Sequence, residues 1–212
     1  MGVTTKICGL SDEPTVDAAI AGGAAWLGFV LFPRSPRNVA PERAAALAAR
    51  APAAIGRVAV LVDPDDALVS QAVAASMTAL QLHGHEPPER VAALKARTGL
   101  EIWKAIPVRT RSDIDAADLY YGAADRLLFD AKTPDAAKLP GGMGLRFDWR
   151  LLDGVRHRLP WLLSGGLDAA SVAEAVAITG ARAVDVSSGV ESAPGVKAVD
   201  KIAAFLQATA RL

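Results

Sequence analysis

Short apolar runs alternate with longer, Ala-rich amphipathic segments along the whole chain. The short runs are rich in Val, Ile, Leu and Phe and end at polar or glycine-rich turns, a pattern typical of buried strands followed by helices. Eight strands are predicted, over residues 4–8, 25–29, 57–62, 79–82, 101–106, 126–130, 161–164 and 183–186. Their starts lie roughly 20 to 35 residues apart, so every interval has room for a crossover helix.

Helix-end signals occupy most of these intervals. Pro41 precedes a predicted helix over 42–50, acidic residues at 63–66 begin another, and Gly99 ends a helix over 90–97. Asp168 is expected to cap a helix over 169–179, and a closing helix is predicted over 197–212. The sixth interval is different, because a loop over 132–144 leaves space only for a short helix within 147–155.

Apolar strands that alternate with helices from end to end favour a parallel sheet covered by helices. Eight such units close into a barrel. An open doubly wound sheet is the alternative, but it predicts a glycine-rich dinucleotide turn after the first strand, and Cys8-Gly9-Leu10-Ser11 is not one. We therefore predict a single α/β domain, a (β/α)8 TIM barrel spanning residues 1–212.

Composition narrows the possible partners. The chain is 51% hydrophobic and 22% charged, enough for a sizeable core, and its 23 basic and 23 acidic residues cancel. With no net charge, the protein has no overall electrostatic field that would favour binding to nucleic acid or to an anionic membrane. The N-terminus lacks the basic-then-apolar order of a signal peptide, and the longest apolar stretch, 24–31, is much shorter than the ~20 residues that span a bilayer. These features predict a cytoplasmic protein without nucleic-acid or membrane partners.

Two ionisable residues follow apolar strands. Cys8 is the only cysteine and ends the first strand, whereas Asp130 ends the sixth. In a barrel both lie at the carboxyl ends, where active sites are built, so they are candidates for acid-base catalysis. The alternatives are a small buried hydrophobe for Cys8 and a structural carboxylate paired with Lys132 for Asp130.

Two further loops predict phosphate binding. Ser164-Gly165-Gly166 follows strand seven and Ser187-Ser188-Gly189 follows strand eight, the loops that most often bind phosphate in barrels. Glycine lets backbone N–H groups approach an anion, serine adds hydroxyl donors, and 189–192 has room for a short helix. The alternative for Gly165-Gly166 is a tight turn.

Arg37 lies in a proline-stiffened loop after strand two, and its planar guanidinium suits a carboxylate. Arg34 in the same loop is expected to be solvated. Gln81 and His83 end strand four and face the same rim if the register is right, although His83 is equally explained as a satisfied polar residue.

The motifs together resemble the phosphoribosylanthranilate isomerase family along the full chain. They are Lys6-Ile7-Cys8-Gly9-Leu10, Ser35-Pro36-Arg37, Leu61-Val62-Asp63, Gln81-Leu82-His83-Gly84, Phe129-Asp130-Ala131-Lys132, Gly141-Gly142-Met143-Gly144, Leu163-Ser164-Gly165-Gly166-Leu167, Val184-Asp185-Val186-Ser187-Ser188-Gly189-Val190-Glu191 and Pro194-Gly195-Val196-Lys197. The order of these motifs on successive barrel loops makes the combination specific. Met143 and Asp168-Ala169 depart from the family pattern.

The resemblance implies an Amadori rearrangement of N-(5-phosphoribosyl)anthranilate in tryptophan biosynthesis, without metal or organic cofactor. It implies that Asp130 is the general acid, Cys8 the general base and Arg37 the ligand of the anthranilate carboxylate. It also implies that Gly165, Gly166, Ser187, Ser188 and Gly189 anchor the phosphate. Burial and neighbouring charges are expected to move the pKa values of Cys8 and Asp130 toward the operating pH.

Two other functions stay open on the residues alone. One is a phosphate-ligand-binding barrel without catalysis, and the other is a related sugar-phosphate isomerase or epimerase that needs no site for an aromatic carboxylate. The loop over 132–144 is the expected mobile lid. A monomer and a homodimer are both compatible with the sequence.

Overall fold

The computed structural model describes residues 2–134, 141–142 and 144–212. Eight parallel strands form a closed barrel in sequence order, with the first strand hydrogen-bonded to the eighth. They are β1 Thr4–Cys8, β2 Trp26–Val30, β3 Gly56–Leu61, β4 Ala79–Leu82, β5 Glu101–Val108, β6 Arg126–Ala131, β7 Trp161–Leu163 and β8 Ala183–Val186. The predicted (β/α)8 barrel is confirmed.

Helices connect successive strands and cover the barrel. They are α1 Glu13–Ala21, α2 Pro41–Ala48, α3 Asp66–Ala74, α4 Pro88–Thr98, α5 Arg111–Asp115 with a 3-10 extension Ala116–Tyr120, α6 Val172–Thr179 and α7 Val199–Thr209. The sixth crossover contains the 3-10 helix Trp149–Leu152, in agreement with the short helix predicted there. Among the described residues, no helix combines the length and apolarity needed to cross a bilayer.

Most helix ends follow the sequence signals. Pro41 lies in the first turn of α2, the Asp65 carboxylate accepts from the Leu68 N–H at 2.8 Å to cap α3, and Gly99 ends α4 with a left-handed φ of 66°. Asp168 caps a turn rather than the helix. Its carboxylate accepts from the N–H groups of Ala170 and Ser171, so α6 begins only at Val172.

The elements after strand eight differ in their bounds from the prediction. The segment 189–192, expected to have room for a short helix, overlaps the 3-10 helix Ser188–Val190, and a strand, β9 Glu191–Ala193, begins where that helix ends. The closing helix predicted from residue 197 begins at 199, because β10 Val196–Lys197 pairs antiparallel with β9. This hairpin brings its side chains back over the barrel rim, which matters for the site.

The barrel interior divides into two halves. The half toward the strand starts is an apolar cluster of inward-facing strand residues, the lower cluster: Val58, Ala79, Trp103, Ala105, Leu128, Leu162 and Ala183. Above it lies a polar group of buried side chains, the upper group: Lys6, Cys8, Gln81, Asp130, Ser164 and Asp185. A separate, larger core fills the space between barrel and helices.

Candidate active site

A cleft opens at the carboxyl ends of the strands, above the upper group. Its lining includes most of the residues predicted from the sequence: Cys8, Arg37, Asp130, Gly165, Gly166, Ser187 and Ser188, together with Gln81 and His83. Gly189 is described by the structure but does not line this cleft. A side chain at Gly189 would collide with the Leu167 carbonyl oxygen, which accounts for a glycine there.

Cys8 ends β1 with its thiol almost fully buried, 6% exposed. Lys6, two residues earlier on the same inward face, is completely buried and places Nζ 2.8 Å from Asp185 Oδ1. Gly28 on the neighbouring strand makes room for both side chains. A Cβ at Gly28 would lie 2.9 Å from Lys6 Nζ and 3.0 Å from Cys8 Sγ, so the two atoms face a common point.

The electrostatics of the thiol differ from expectation. Burial raises the pKa of Cys8, and the positive charges of Lys6 and Lys197 only partly offset this effect. In the protein alone the net shift is therefore upward, not toward neutrality. Burial also lowers the pKa of Lys6, but Asp185 and Cys8 outweigh that cost and hold the ammonium protonated.

Asp130 ends β6 with its carboxylate pointing into the cleft. Its Oδ1 accepts from the Ala131 N–H at 2.9 Å, and its Oδ2 lies 3.3 Å from His83 Nε2. The partner is therefore His83, whereas Lys132 is exposed. His83 is more than a satisfied strand terminus, since it contacts the candidate acid directly.

Gln81 orients the imidazole. Its Nε2 lies 3.1 Å from His83 Nδ1, so the imidazole is held between the Gln81 amide and the Asp130 carboxylate. The other amide atom of Gln81, Oε1, is buried without a hydrogen-bond partner among the described residues. The chain Gln81–His83–Asp130 thus connects β4 to β6 across the mouth of the barrel.

The two predicted phosphate loops adjoin each other. Gly165 and Gly166 have positive φ values of 88° and 66°, and a Cβ at Gly165 would lie 2.8 Å from the Ala131 backbone nitrogen. The glycines are therefore needed both for the turn and for close packing on β6. Ser187 is held by Lys197, whose Nζ donates to the Ser187 carbonyl at 2.8 Å.

Arg37 lies buried at the rim, but its fork is not free. Nε and Nη2 donate to the two oxygens of Glu191 at 2.6 and 2.8 Å. The remaining nitrogen, Nη1, faces the cleft beside Gly142, where a Cβ would lie only 2.7 Å away. Glu191 therefore already occupies the Nε–Nη2 edge of the guanidinium, one of the edges that a ligand carboxylate was expected to use for a paired contact. Arg34 is exposed, as predicted.

Glu191 and Lys197 lie in sequence motifs named above, but no role was predicted for either. Glu191 Oε1 accepts from Lys197 Nζ at 2.7 Å as well as from Arg37, so three buried charges meet at the β9–β10 hairpin. Burial raises the pKa of Glu191, yet hydrogen bonds from Arg37 and Lys197 bring it below its usual range. Burial dominates at Lys197 and lowers its pKa. The hairpin that creates this contact was not predicted.

The remaining predictions on this region concern metals and the lid. Residues 2–134, 141–142 and 144–212 contain no group of three His, Cys, Asp or Glu side chains arranged to hold a metal ion. The predicted lid over 132–144 lies largely outside the described residues, as does Met143.

Comparison with known proteins gives one consistent family. The family model for N-(5′-phosphoribosyl)anthranilate isomerase matches residues 5–208. The N-(5′-phosphoribosyl)anthranilate isomerase of Zymomonas mobilis subsp. mobilis is 54% identical over 209 residues, 98% of each chain. That of Rhodospirillum centenum is 53% identical over the full length of both.

Solved structures agree with the sequence relatives. The crystal structure of phosphoribosyl anthranilate isomerase from Thermotoga maritima superposes with a TM-score of 0.88 at 34% identity, covering 99% of this chain and all of that one. A complex of such an isomerase with reduced 1-(o-carboxyphenylamino)-1-deoxyribulose 5-phosphate superposes at 0.83 and 32% identity over the same shares. The chain belongs to the N-(5′-phosphoribosyl)anthranilate isomerase family and is an isomerase of tryptophan biosynthesis.

Proposed function

We propose that the protein rearranges N-(5-phosphoribosyl)anthranilate to 1-(2-carboxyphenylamino)-1-deoxyribulose 5-phosphate, with Cys8 as general base and Asp130 as general acid. One observation carries the assignment of roles. A thiol and a carboxyl group from strands far apart in sequence line a single cleft, and no other cysteine exists in the chain. The substrate class is supported by the related complex with a reduced form of that product.

The proposed chemistry needs only proton transfers. Asp130 donates a proton to the furanose ring oxygen while the anilino nitrogen lone pair forms a C=N bond at C1′, so the C1′–O bond breaks. Cys8, as thiolate, then removes the C2′ proton, and that electron pair neutralises the iminium to give an enolamine. Transfer of the C2′ hydroxyl proton to C1′ yields the ketone, and return of the proton from the Cys8 thiol to the Asp130 carboxylate restores both groups. The overall change is an isomerisation that conserves every atom.

Positioning of Asp130 is supported by its two contacts. The Ala131 N–H fixes one oxygen, and His83 lies against the other, so the carboxyl group has a defined direction into the cleft. Gly141 allows the chain to pass close by, since a Cβ there would lie 2.7 Å from both Asp130 Oδ2 and His83 Nε2. A catalytic acid held this way donates from a fixed position.

The ends of the substrate have two distinct candidate sites. Gly165, Gly166, Ser187 and Ser188, which line the cleft, are proposed to bind the phosphate together with Gly189, which follows them in the chain but lies outside the cleft lining. Adjacent glycine turns and a buried lysine, Lys197, behind Ser187 support this proposal. Arg37 is proposed to bind the anthranilate carboxylate through Nη1. Its bidentate bond to Glu191 supports this role, because it holds the guanidinium plane in one orientation.

The test follows the decay of substrate fluorescence after purified protein is added. Cys8→Ala should lose kcat by a factor on the order of 10² or more, whereas Ser171→Ala, a small buried residue outside the cleft, should retain it. A Cys8→Ala variant that turns over normally contradicts the assignment. A barrel that only binds phosphate ligands would show no turnover in the unaltered protein.

Two predictions about the protein in the cell stay open. A cytoplasmic location remains a prediction. So does the choice between monomer and homodimer, although a related T. maritima isomerase is described as dimeric, with monomers generated from it.

A further inference from the structure

We propose that Lys6 is a positioning residue for the reaction, a buried ammonium fixed by Asp185 that stabilises the Cys8 thiolate. The inference rests on the proposed role of Cys8 as base. It assigns a purpose to a lysine that lies inside the barrel, below the cleft lining, where it has no route to solvent or to substrate.

The placement of Lys6 is unusual for its residue type. Lysine is almost never fully buried unless it is paired, and this side chain is 0% exposed. It occupies an inward-facing position of β1, two residues before Cys8, so strand alternation directs both side chains to the barrel interior. Gly28 on β2 leaves the space in which Lys6 Nζ and Cys8 Sγ approach each other.

Asp185 fixes the ammonium. Its Oδ1 lies 2.8 Å from Lys6 Nζ, and its Oδ2 accepts from Ser164 Oγ at 3.2 Å. Strand pairing places Lys6 directly beside Asp185, so the contact is set by barrel closure. A buried ion pair of this kind is weak support for stability, because desolvation offsets the attraction. Its location beside the only thiol provides a functional reason for it.

Charge balance supports the same role. Five buried charged groups lie on the Cys8 side of the cleft: Lys6, Arg37 and Lys197 are positive, and Asp185 and Glu191 are negative. This set carries one excess positive charge, which a Cys8 thiolate neutralises. His83, just after β4, and Asp130, on β6, face the cleft from its other side. Deprotonation of Cys8 therefore places a negative charge among charged groups whose sum is positive.

The direction of the shifts at Cys8 is consistent with this account. Burial is the largest influence and raises its pKa, while Lys6 is the largest influence in the opposite sense and Asp185 acts against Lys6. Removing Lys6 leaves the thiol with burial and an uncompensated carboxylate. Removing the Asp185 charge leaves the thiol beside an unopposed ammonium. The two changes should act in opposite directions.

The experiment measures the pH dependence of Cys8 alkylation by iodoacetamide, which reports one residue because the chain has a single cysteine. In Lys6→Met the midpoint should rise by at least about one pH unit, a roughly tenfold smaller thiolate fraction at neutral pH. In Asp185→Asn it should fall. The kcat of Lys6→Met should drop by about the same tenfold and recover at higher pH, with KM unchanged.

Lys104→Met is the matched control. Lys104 is equally buried and paired with Glu86 at 2.8 Å, but it lies outside the barrel interior and away from Cys8, so its loss should leave the alkylation profile unchanged. Circular dichroism and thermal unfolding establish that each variant is folded. Where Lys6→Met does not fold, Asp185→Asn alone decides the matter.

Opposite shifts in the two variants support the proposal. An unchanged midpoint in folded Lys6→Met, shifts of the same sign in both variants, or a midpoint in Asp185→Asn that does not fall would overturn it. Because alkylation needs no substrate, these results stand apart from the proposed function. Altered alkylation midpoints in a protein whose Cys8→Ala variant still turns over would reject the base while retaining Lys6 as a modulator of the thiol.

Discussion

The two halves of the barrel interior use the same strands for opposite purposes. On four strands, moving two residues along the inward face changes an apolar side chain into a polar one: Ala79 to Gln81, Leu128 to Asp130, Leu162 to Ser164 and Ala183 to Asp185. The lower cluster packs apolar side chains against one another, and its Trp103 ring forms an edge-to-face pair with Trp26 and lies 5.7 Å from the Arg126 guanidinium. The upper group carries the ion pairs and the candidate acid and base.

The difference between the lower cluster and the upper group shows which part of the barrel interior lowers the stability of the fold. Buried polar atoms lower stability unless they are paired, and among the described residues the upper group contains an amide oxygen on Gln81 without a hydrogen-bond partner and the desolvated charges of Lys6 and Asp185. In the same part of the chain, the lower cluster buries one polar atom without a partner, the indole nitrogen of Trp103. Stability and chemistry are therefore separable along single strands, and four substitutions test this separation.

The largest effect is expected from Asp130→Asn. The amide keeps the size of the side chain but removes the ionisable proton, so kcat should fall on the order of 10² to 10⁴-fold while the melting temperature stays nearly unchanged. Steady-state kinetics and thermal unfolding measure the two quantities. Asp125→Asn is the control. Asp125 lies immediately before β6, at the opposite end of the strand from Asp130, so its substitution should leave kcat intact. A melting temperature that falls with kcat would refute the separation.

Leu128→Ala tests the lower cluster on the same strand, two residues before Asp130. The side chain is fully buried, so its truncation should reduce the free energy of unfolding by about 2 to 5 kcal/mol through lost burial and a residual cavity. Denaturant unfolding measures this change. At a temperature where the variant is folded, kcat should stay close to that of the unaltered protein. A large loss of kcat would show that the two halves are coupled.

Arg37→Ala tests the rim. Loss of a charge-assisted bond to the substrate carboxylate, about 1.5 to 3 kcal/mol, should raise KM for phosphoribosylanthranilate at least about tenfold with a smaller effect on kcat. Glu191→Gln is the comparison, because it keeps the guanidinium but weakens its tether. An unaltered KM in Arg37→Ala would instead favour a sugar-phosphate isomerase or epimerase without a site for an aromatic carboxylate.

The smallest effect concerns the acid side of the stability profile. The folded-state pKa of Glu191 lies below its unfolded value, so its contribution to stability is present above the unfolded pKa and is lost as the pH falls through the folded one. The free energy of unfolding should therefore decline more steeply below roughly pH 4 in the unaltered protein than in Glu191→Gln. Denaturant titrations from pH 6 to pH 3 compare the slopes. Parallel slopes would show that this carboxylate does not titrate differently on folding.

Much of the fold was predictable because the interior of the barrel is apolar wherever it only packs. Strands β1, β4 and β8 have the predicted bounds, and the others differ by one or two residues at one or both ends. Cys8 and Asp130 were identifiable as candidates because each ends a strand, and all strand ends of a parallel barrel meet at one rim.

The charged surroundings were not predictable from local patterns. Arg37 and Glu191 are 154 residues apart, and their pairing depends on a hairpin that was not predicted. Lys6 and Asp185 offered a signal that went unused. A lysine and an aspartate within otherwise apolar strands, each in phase with an active-site position, indicate a buried pair, but only the closure of β1 on β8 brings them together.

That closure has a consequence for the newly made chain. The lysine beside the thiol emerges from the ribosome 179 residues before its carboxylate partner. At elongation rates of about 5 to 20 residues per second, the delay is roughly 10 to 40 seconds. Until β8 has been synthesised, the Cys8 sulfur has no Lys6–Asp185 ion pair beside it, because Asp185 lies on that strand.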